Sequence, residues 1–92
     1  MFVVTDKGEA YLARLSYRSE PFSSSTPDKK AYADFKMLFT LKEMGSAETE
    51  TELLEEYKHT GAPEGKEAGP EEMAHARGSL RGLFEAGYID QV

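Results

Sequence analysis

Two short runs rich in β-branched and aromatic residues, FVVT at Phe2–Thr5 and YIDQV at Tyr88–Val92, sit at opposite ends of this 92-residue chain. They are its strand candidates. A strand carries backbone N–H and C=O groups that must find partners, and a lone terminal strand is not stable by itself. The two runs are therefore expected to lie side by side, antiparallel, with the chain ends close together.

The sequence between them reads as helices and loops. Thr5 can cap a helix from Asp6 to about Tyr17, with Tyr11, Leu12 and Leu15 at helical spacing. Ser19–Thr26 is a serine-rich loop interrupted by Pro21. Thr26-Pro27 is a strong helix start, and the helix is expected to reach Met44 and stop at Gly45. Tyr32, Phe35, Leu38, Phe39, Leu41 and Met44 give that helix a wide apolar face, suited to the centre of the core. Ser46 opens the next helix, to His59, whose first turns carry Glu48, Glu50 and Glu52, where acid suits the helix dipole. Leu53, Leu54 and Tyr57 supply its core contacts. Thr60–Gly69 is a loop, and Pro70 starts a last helix to Ala86, followed by Gly87.

One domain of this size buries roughly 60–65% of its unfolded surface. Its five Tyr, five Phe and 39% apolar residues suffice for one core. With no cysteine there is no disulfide or thiolate chemistry, which fits a reducing, cytoplasmic setting. The start of the chain turns charged at Asp6, too early for a signal peptide, and no apolar run approaches the ~20 residues of a membrane span. The net charge of −6 is unevenly placed. Residues 45–76 hold nine Asp/Glu against two Lys/Arg, whereas residues 1–44 hold six against seven and residues 77–92 two against two. An acidic chain starts at a disadvantage for nucleic acid, whose phosphates are bound largely by Lys and Arg.

The helix from Thr26 to Met44, the helix from Ser46 to His59, and the Pro70–Ala86 helix followed by Gly87-Tyr88-Ile89 resemble the three helices and first wing strand of a winged-helix domain. LRGLFEAGYI resembles the end of that family's third helix. VVTDKGEAYL resembles the segment that normally follows the second wing strand, with its TxKGxxxL helix start. In the family that segment comes last; here it comes first. The resemblance implies a circular permutation opened at the wing tip. It covers most of the chain apart from the serine-rich and acidic loops.

Winged-helix relatives commonly place the third helix in the DNA major groove. On a helical wheel, Met73, Ala76, Leu80, Leu83 and Phe84 gather toward the core, with Arg77 inside that stripe. Glu71, His75, Gly78, Ser79, Gly82 and Ala86 fall opposite. That face lacks the Arg, Lys, Asn or Gln of bidentate base readout, and Glu71 and Glu72 would meet phosphate at the helix start. The acidic turn before this helix is also longer than that of a compact helix-turn-helix. If DNA is bound, Lys29, Lys30, Arg77 and Arg81 are the phosphate contacts to expect.

Ala74, Gly78, Gly82 and Ala86 recur every four residues. A mid-helix glycine costs about 1 kcal/mol against alanine, so two of them call for close backbone approach. Either a partner protein, including a second copy, docks there through His75, Gly78, Ser79, Gly82 and Ala86, or the N-terminal helix of the same chain covers the face. A third possibility is that the glycines simply leave the helix loose.

The chemistry-bearing residues do not assemble into a site. Glu71 and His75 lie four apart, but two ligands do not hold a metal. The glutamates at 48, 50, 52, 55 and 56 lack the pattern of a calcium loop and read as a solvated face. GAPEGKE at Gly61–Glu67 has the wrong spacing for a phosphate loop and Glu67 where Ser or Thr is needed. Ser23–Ser25 lack a base. The expectation is a mostly α fold with a small β ribbon, winged-helix-like, with about four helices and a two-stranded antiparallel sheet of the N- and C-terminal strands. The expected role is a non-catalytic interaction or regulatory module, without cofactor or metal, partnered by another protein or a second copy and not by a membrane. The alternative is a DNA-binding regulator of winged-helix type.

Overall fold

The computed structural model describes residues 1–15, 28–60 and 67–92. In chain order it contains β1 (Phe2–Val4), α1 (Asp6–Arg14), α2 (Lys29–Met44), α3 (Glu50–His59), α4 (Pro70–Glu85) and β2 (Ile89–Gln91). The fold is mostly helical, and its sheet is made by the two terminal strands.

β1 and β2 pair antiparallel, with Phe2 opposite Gln91, Val3 opposite Asp90 and Val4 opposite Ile89. The ladder extends beyond both strands: Thr5 N–H donates to Tyr88 O at 3.1 Å, and Val92 N–H to Met1 O at 2.8 Å. On its other edge β1 meets Ala47, with Phe2 N–H to Ala47 O at 2.7 Å and Ala47 N–H to Phe2 O at 3.0 Å. β1 is thus the middle of the ribbon, flanked by β2 and the segment around Ala47.

That contact corrects the expected start of α3. Ser46 does not open the helix, because Ala47 is held extended against Phe2. The N-cap is Thr49, whose hydroxyl accepts from Glu52 N–H at 3.1 Å, while the Glu52 carboxylate reaches back to Glu48 N–H. At the start of α2 the cap is Asp28, accepting from Ala31 N–H at 2.9 Å. The Thr26-Pro27 start expected from sequence lies outside the described residues. So does the far end of the helix expected to reach Tyr17: α1 closes at Arg14, with Leu15 as its C-cap.

α2 stops at Gly45 (φ 83°) and α4 at Gly87 (φ 83°), the left-handed conformation that glycine adopts without a Cβ penalty. At the end of α4, Gly87 N–H donates to Phe84 O and Tyr88 N–H to Leu83 O, the paired bonds of a Schellman stop.

α2 packs against α1, α3, α4 and β1, as befits a central helix. Met37, Leu38 and Leu41 of α2 meet Leu53 and Tyr57 of α3, Ala76, Leu80 and Leu83 of α4, and Ile89 of β2. Two aromatics expected inside are outside: Phe39 is 39% and Phe84 43% exposed. In their stead, α2 buries Asp34, Lys36 and Thr40, and α4 buries Glu72 and Ser79.

The two ends of the chain lock together at Gly8. A Cβ there would sit 2.0 Å from Tyr88 O, so only glycine lets α1 approach the backbone entering β2. At Gly78 and Gly82 a Cβ would meet nothing within 4 Å. Helix propensity alone favours Ala over Gly by about 1 kcal/mol, yet the two environments should give opposite signs. Gly8→Ala is expected to destabilise by about 3 kcal/mol through overpacking. Gly78→Ala should instead stabilise by about 0.5–1 kcal/mol. Urea unfolding of both variants checks the contrast.

Candidate interaction groove between α2 and α4

A groove of about 430 Å³ runs between α2 and α4, lined by Lys30, Ala33 and Asp34 on one side and Ala74, His75, Gly78, Ser79 and Gly82 on the other. Small residues at 33, 74, 78 and 82 leave the backbone near the surface, and the space that larger side chains would fill is open.

Asp34 forms the floor at 1% exposure. Its Oδ2 accepts from Tyr11 OH at 2.9 Å and Lys30 Nζ at 2.8 Å, and its Oδ1 accepts from the Ser79 hydroxyl. A buried carboxylate is tolerated only when paired and hydrogen-bonded, and these donors from α1, α2 and α4 meet that demand. Two of those donors titrate abnormally as a result. Burial and then the hydrogen bond to Asp34 hold the Tyr11 phenol above its usual range. The hydrogen bond to Asp34 raises Lys30 against a smaller opposing effect of burial.

The face expected for docking is thereby corrected at one position. Ser79 is buried and committed to Asp34, so it belongs to the floor rather than the surface. His75, Gly78 and Gly82 line the groove and are exposed. Ala86 is exposed, but its carbonyl accepts from Lys7 Nζ at 2.9 Å, at the junction with α1. Burial of Glu72 and Ser79 turns the core side of α4 by roughly 50° from the wheel expectation. That rotation carries Arg77 out of the core stripe into solvent.

Of the residues considered for phosphate contact, Lys29 pairs with Glu71 at 3.1 Å and Lys30 with Asp34 at 2.8 Å. Arg77 and Arg81 are exposed and form no ion pair among the described residues. Glu71, once weighed with His75 as a metal ligand, is engaged by Lys29. No group of three His, Cys, Asp or Glu suited to a metal occurs among the described residues. Ser23–Ser25 and most of Gly61–Glu67 lie outside them.

A second polar cluster, joining α2, α3 and α4, had no signal in the sequence. Lys36 Nζ and Glu72 Oε2 form a buried ion pair at 2.8 Å, and the same ammonium lies 4.4 Å from the centre of the Tyr57 ring. The Tyr57 hydroxyl is buried without a hydrogen-bond partner among the described residues. Burial, reinforced by the Glu72 charge, pushes its ionisation far above the usual phenol range.

No known protein family, curated protein or solved structure matches this chain. No helix among the described residues is long and apolar enough to cross a membrane.

The buried cluster makes two stability predictions. Glu72→Gln strands the Lys36 ammonium and should cost about 3–5 kcal/mol, whereas Lys36→Met with Glu72→Leu should be neutral or stabilising; chemical denaturation compares them. Tyr57→Phe removes a buried hydroxyl that meets no hydrogen-bond partner among the described residues and should stabilise by about 1 kcal/mol at neutral pH. The Tyr11 and Tyr57 shifts are both upward from 10.0, so the stability they carry is complete below that pH and lost as pH rises toward their folded-state values. Alkaline denaturation should accordingly begin above about pH 10 and be shallower in Tyr57→Phe.

Proposed function

We propose that this chain is a non-catalytic protein-interaction module on a winged-helix-like scaffold, with the outward face of α4 and the adjoining groove as its docking surface. The scaffold reading is supported by three successive helices, α2 to α4, followed by a strand that pairs with the strand preceding α1. The observation that carries the functional reading is the open space at Gly78 and Gly82. Two mid-helix glycines weaken α4 by about 1 kcal/mol each against alanine, and no contact among the described residues requires them. A partner lying flush on the helix would use them.

Non-catalytic action is supported by the groove's own chemistry. Both Asp34 oxygens are occupied, and the Ser79 proton is directed to Asp34. That leaves no hydroxyl paired with a free base, the arrangement that nucleophilic catalysis needs. A cytoplasmic setting is supported by the absence of cysteine.

A second reading, a DNA-binding regulator, is favoured by Arg77 and Arg81, which stand one turn apart on the outward face without ion pairs among the described residues. The net charge of −6 opposes it. Titration of random-sequence duplex DNA, followed by anisotropy across salt concentrations, separates the readings. The interaction module should show no binding tighter than about millimolar at physiological salt. Micromolar affinity that falls steeply with added salt, the signature of counterion release, would replace it with the DNA reading.

A further inference from the structure

Lysines 29, 30, 36 and 42 each form an ion pair. Arg77 and Arg81 form none among the described residues, although both are exposed on α4. The complementary surplus lies on α3 and its lead-in, where Glu48, Glu50, Glu52, Glu55 and Glu56 are all exposed and none forms an ion pair among the described residues. α3 and α4 pack against each other through Leu53, Tyr57, Ala76 and Leu80, so the two helices touch without their opposite charges meeting.

From this charge arrangement, and resting on the interaction reading above, we infer that the partner is a second copy of this chain, whose α3 glutamates dock against Arg77 and Arg81 of α4. Spacing matches on the two sides. Arg77 and Arg81 stand four residues apart, as do Glu52 and Glu56, a rise of about 6 Å along either helix. Within one protomer each is a like-charge pair at i, i+4, which is mildly destabilising; bringing the stripes together relieves both. Arginine suits this role because its planar guanidinium meets a carboxylate through two parallel hydrogen bonds. Each arginine is followed by a glycine with open space above it, so a second helix can come close enough for both pairs to form. A duplex would satisfy the arginines too, but it would meet the exposed Glu71 and Glu85 on the same helix. A copy of this chain brings carboxylates in place of a continuous phosphate line.

Charged pairs at a solvated surface hold weakly and are screened by salt. The association is therefore concentration-dependent and confined to low ionic strength. Sedimentation equilibrium of the full chain tests it at about 10 mM salt, where the Debye length is about 30 Å, and at about 1 M, where it is about 3 Å. The expected average mass rises above 10.2 kDa with concentration at low salt and returns to 10.2 kDa at high salt. The Arg77→Glu, Arg81→Glu variant should associate at least tenfold more weakly, as should Glu52→Arg, Glu56→Arg. Mixing the two variants should restore association. Far-UV circular dichroism checks their folds, and Glu56→Arg alone, which removes no side-chain hydrogen bond among the described residues, serves if the double change at α3 unfolds. A wild-type mass of 10.2 kDa at both salts would overturn the inference, as would association that survives both reversals. A monomer that also ignores duplex DNA sinks self-docking alone and leaves the interaction reading with a different partner. A monomer that binds duplex through Arg77 and Arg81 sinks both.

Discussion

The hydrogen bonds and close backbone approach that join residues 5–8 to residues 86–88 hold the architecture together. The Thr5 hydroxyl accepts from Gly8 N–H at 3.0 Å, capping α1, and donates to Gly87 O at 2.7 Å. Thr5 N–H reaches Tyr88 O, and Lys7 Nζ reaches Ala86 O, one of the last carbonyls of α4. The absence of a side chain at Gly8 lets Tyr88 O approach α1 this closely. The Tyr88 ring stacks on Tyr11 at 4.4 Å between centroids. The start of the first helix and the end of the last are therefore one structural unit, and β1 and β2 are its extension. A loop of some eighty residues closes at this junction. Closure entropy grows only logarithmically with length, so a short ladder supported by a core can sustain it.

From that junction the order passes along α2. Asp34 gathers donors from α1 and α4, and Lys36 binds Glu72 of α4 beside Tyr57 of α3. Burying charge is costly, and such clusters are better understood as fixing one arrangement than as adding stability. Here they fix the rotation of α4 about its axis. With Ser79 and Glu72 turned inward, Arg77, Gly78, Arg81 and Gly82 must face out. The exposed face of α4 is thus a consequence of polar contacts in the interior.

Much of this was legible in the residues. The pairing of the terminal strands followed from the need to satisfy two isolated ladders. The stops at Gly45 and Gly87, the Thr5 cap and the Pro70 start followed from local backbone preference. What escaped was set by contacts distant in sequence. Ser46 and Thr49 are both good caps, and the choice between them was made by Phe2 pairing with Ala47; the Thr49-x-x-Glu52 spacing was the local signal. The α4 wheel was misjudged because Ser79 and Glu72 look like surface residues until Asp34 and Lys36 meet them from a helix some forty positions earlier. Phe39 and Phe84 were placed inside as parts of apolar helix faces, whereas polar residues of the same helices are buried. In the groove, His75, Gly78 and Gly82 were found by spacing, whereas Lys30, Ala33 and Asp34 were not, since no local pattern says which helix lies opposite.

The closed junction ties the first helix to the end of the last through backbone contacts at Thr5, Gly8 and Tyr88. The observed register makes Phe2–Gln91 and Val4–Ile89 the non-hydrogen-bonded pairs of the ladder, the pairs whose α-carbons approach most closely. Nuclear Overhauser spectroscopy of the protein in solution should show strong cross-peaks between the α-protons of Phe2 and Gln91 and between those of Val4 and Ile89. If both are missing, or connect residues in another register, the ends do not close in this way, and the junction between the start of α1 and the end of α4 has no support.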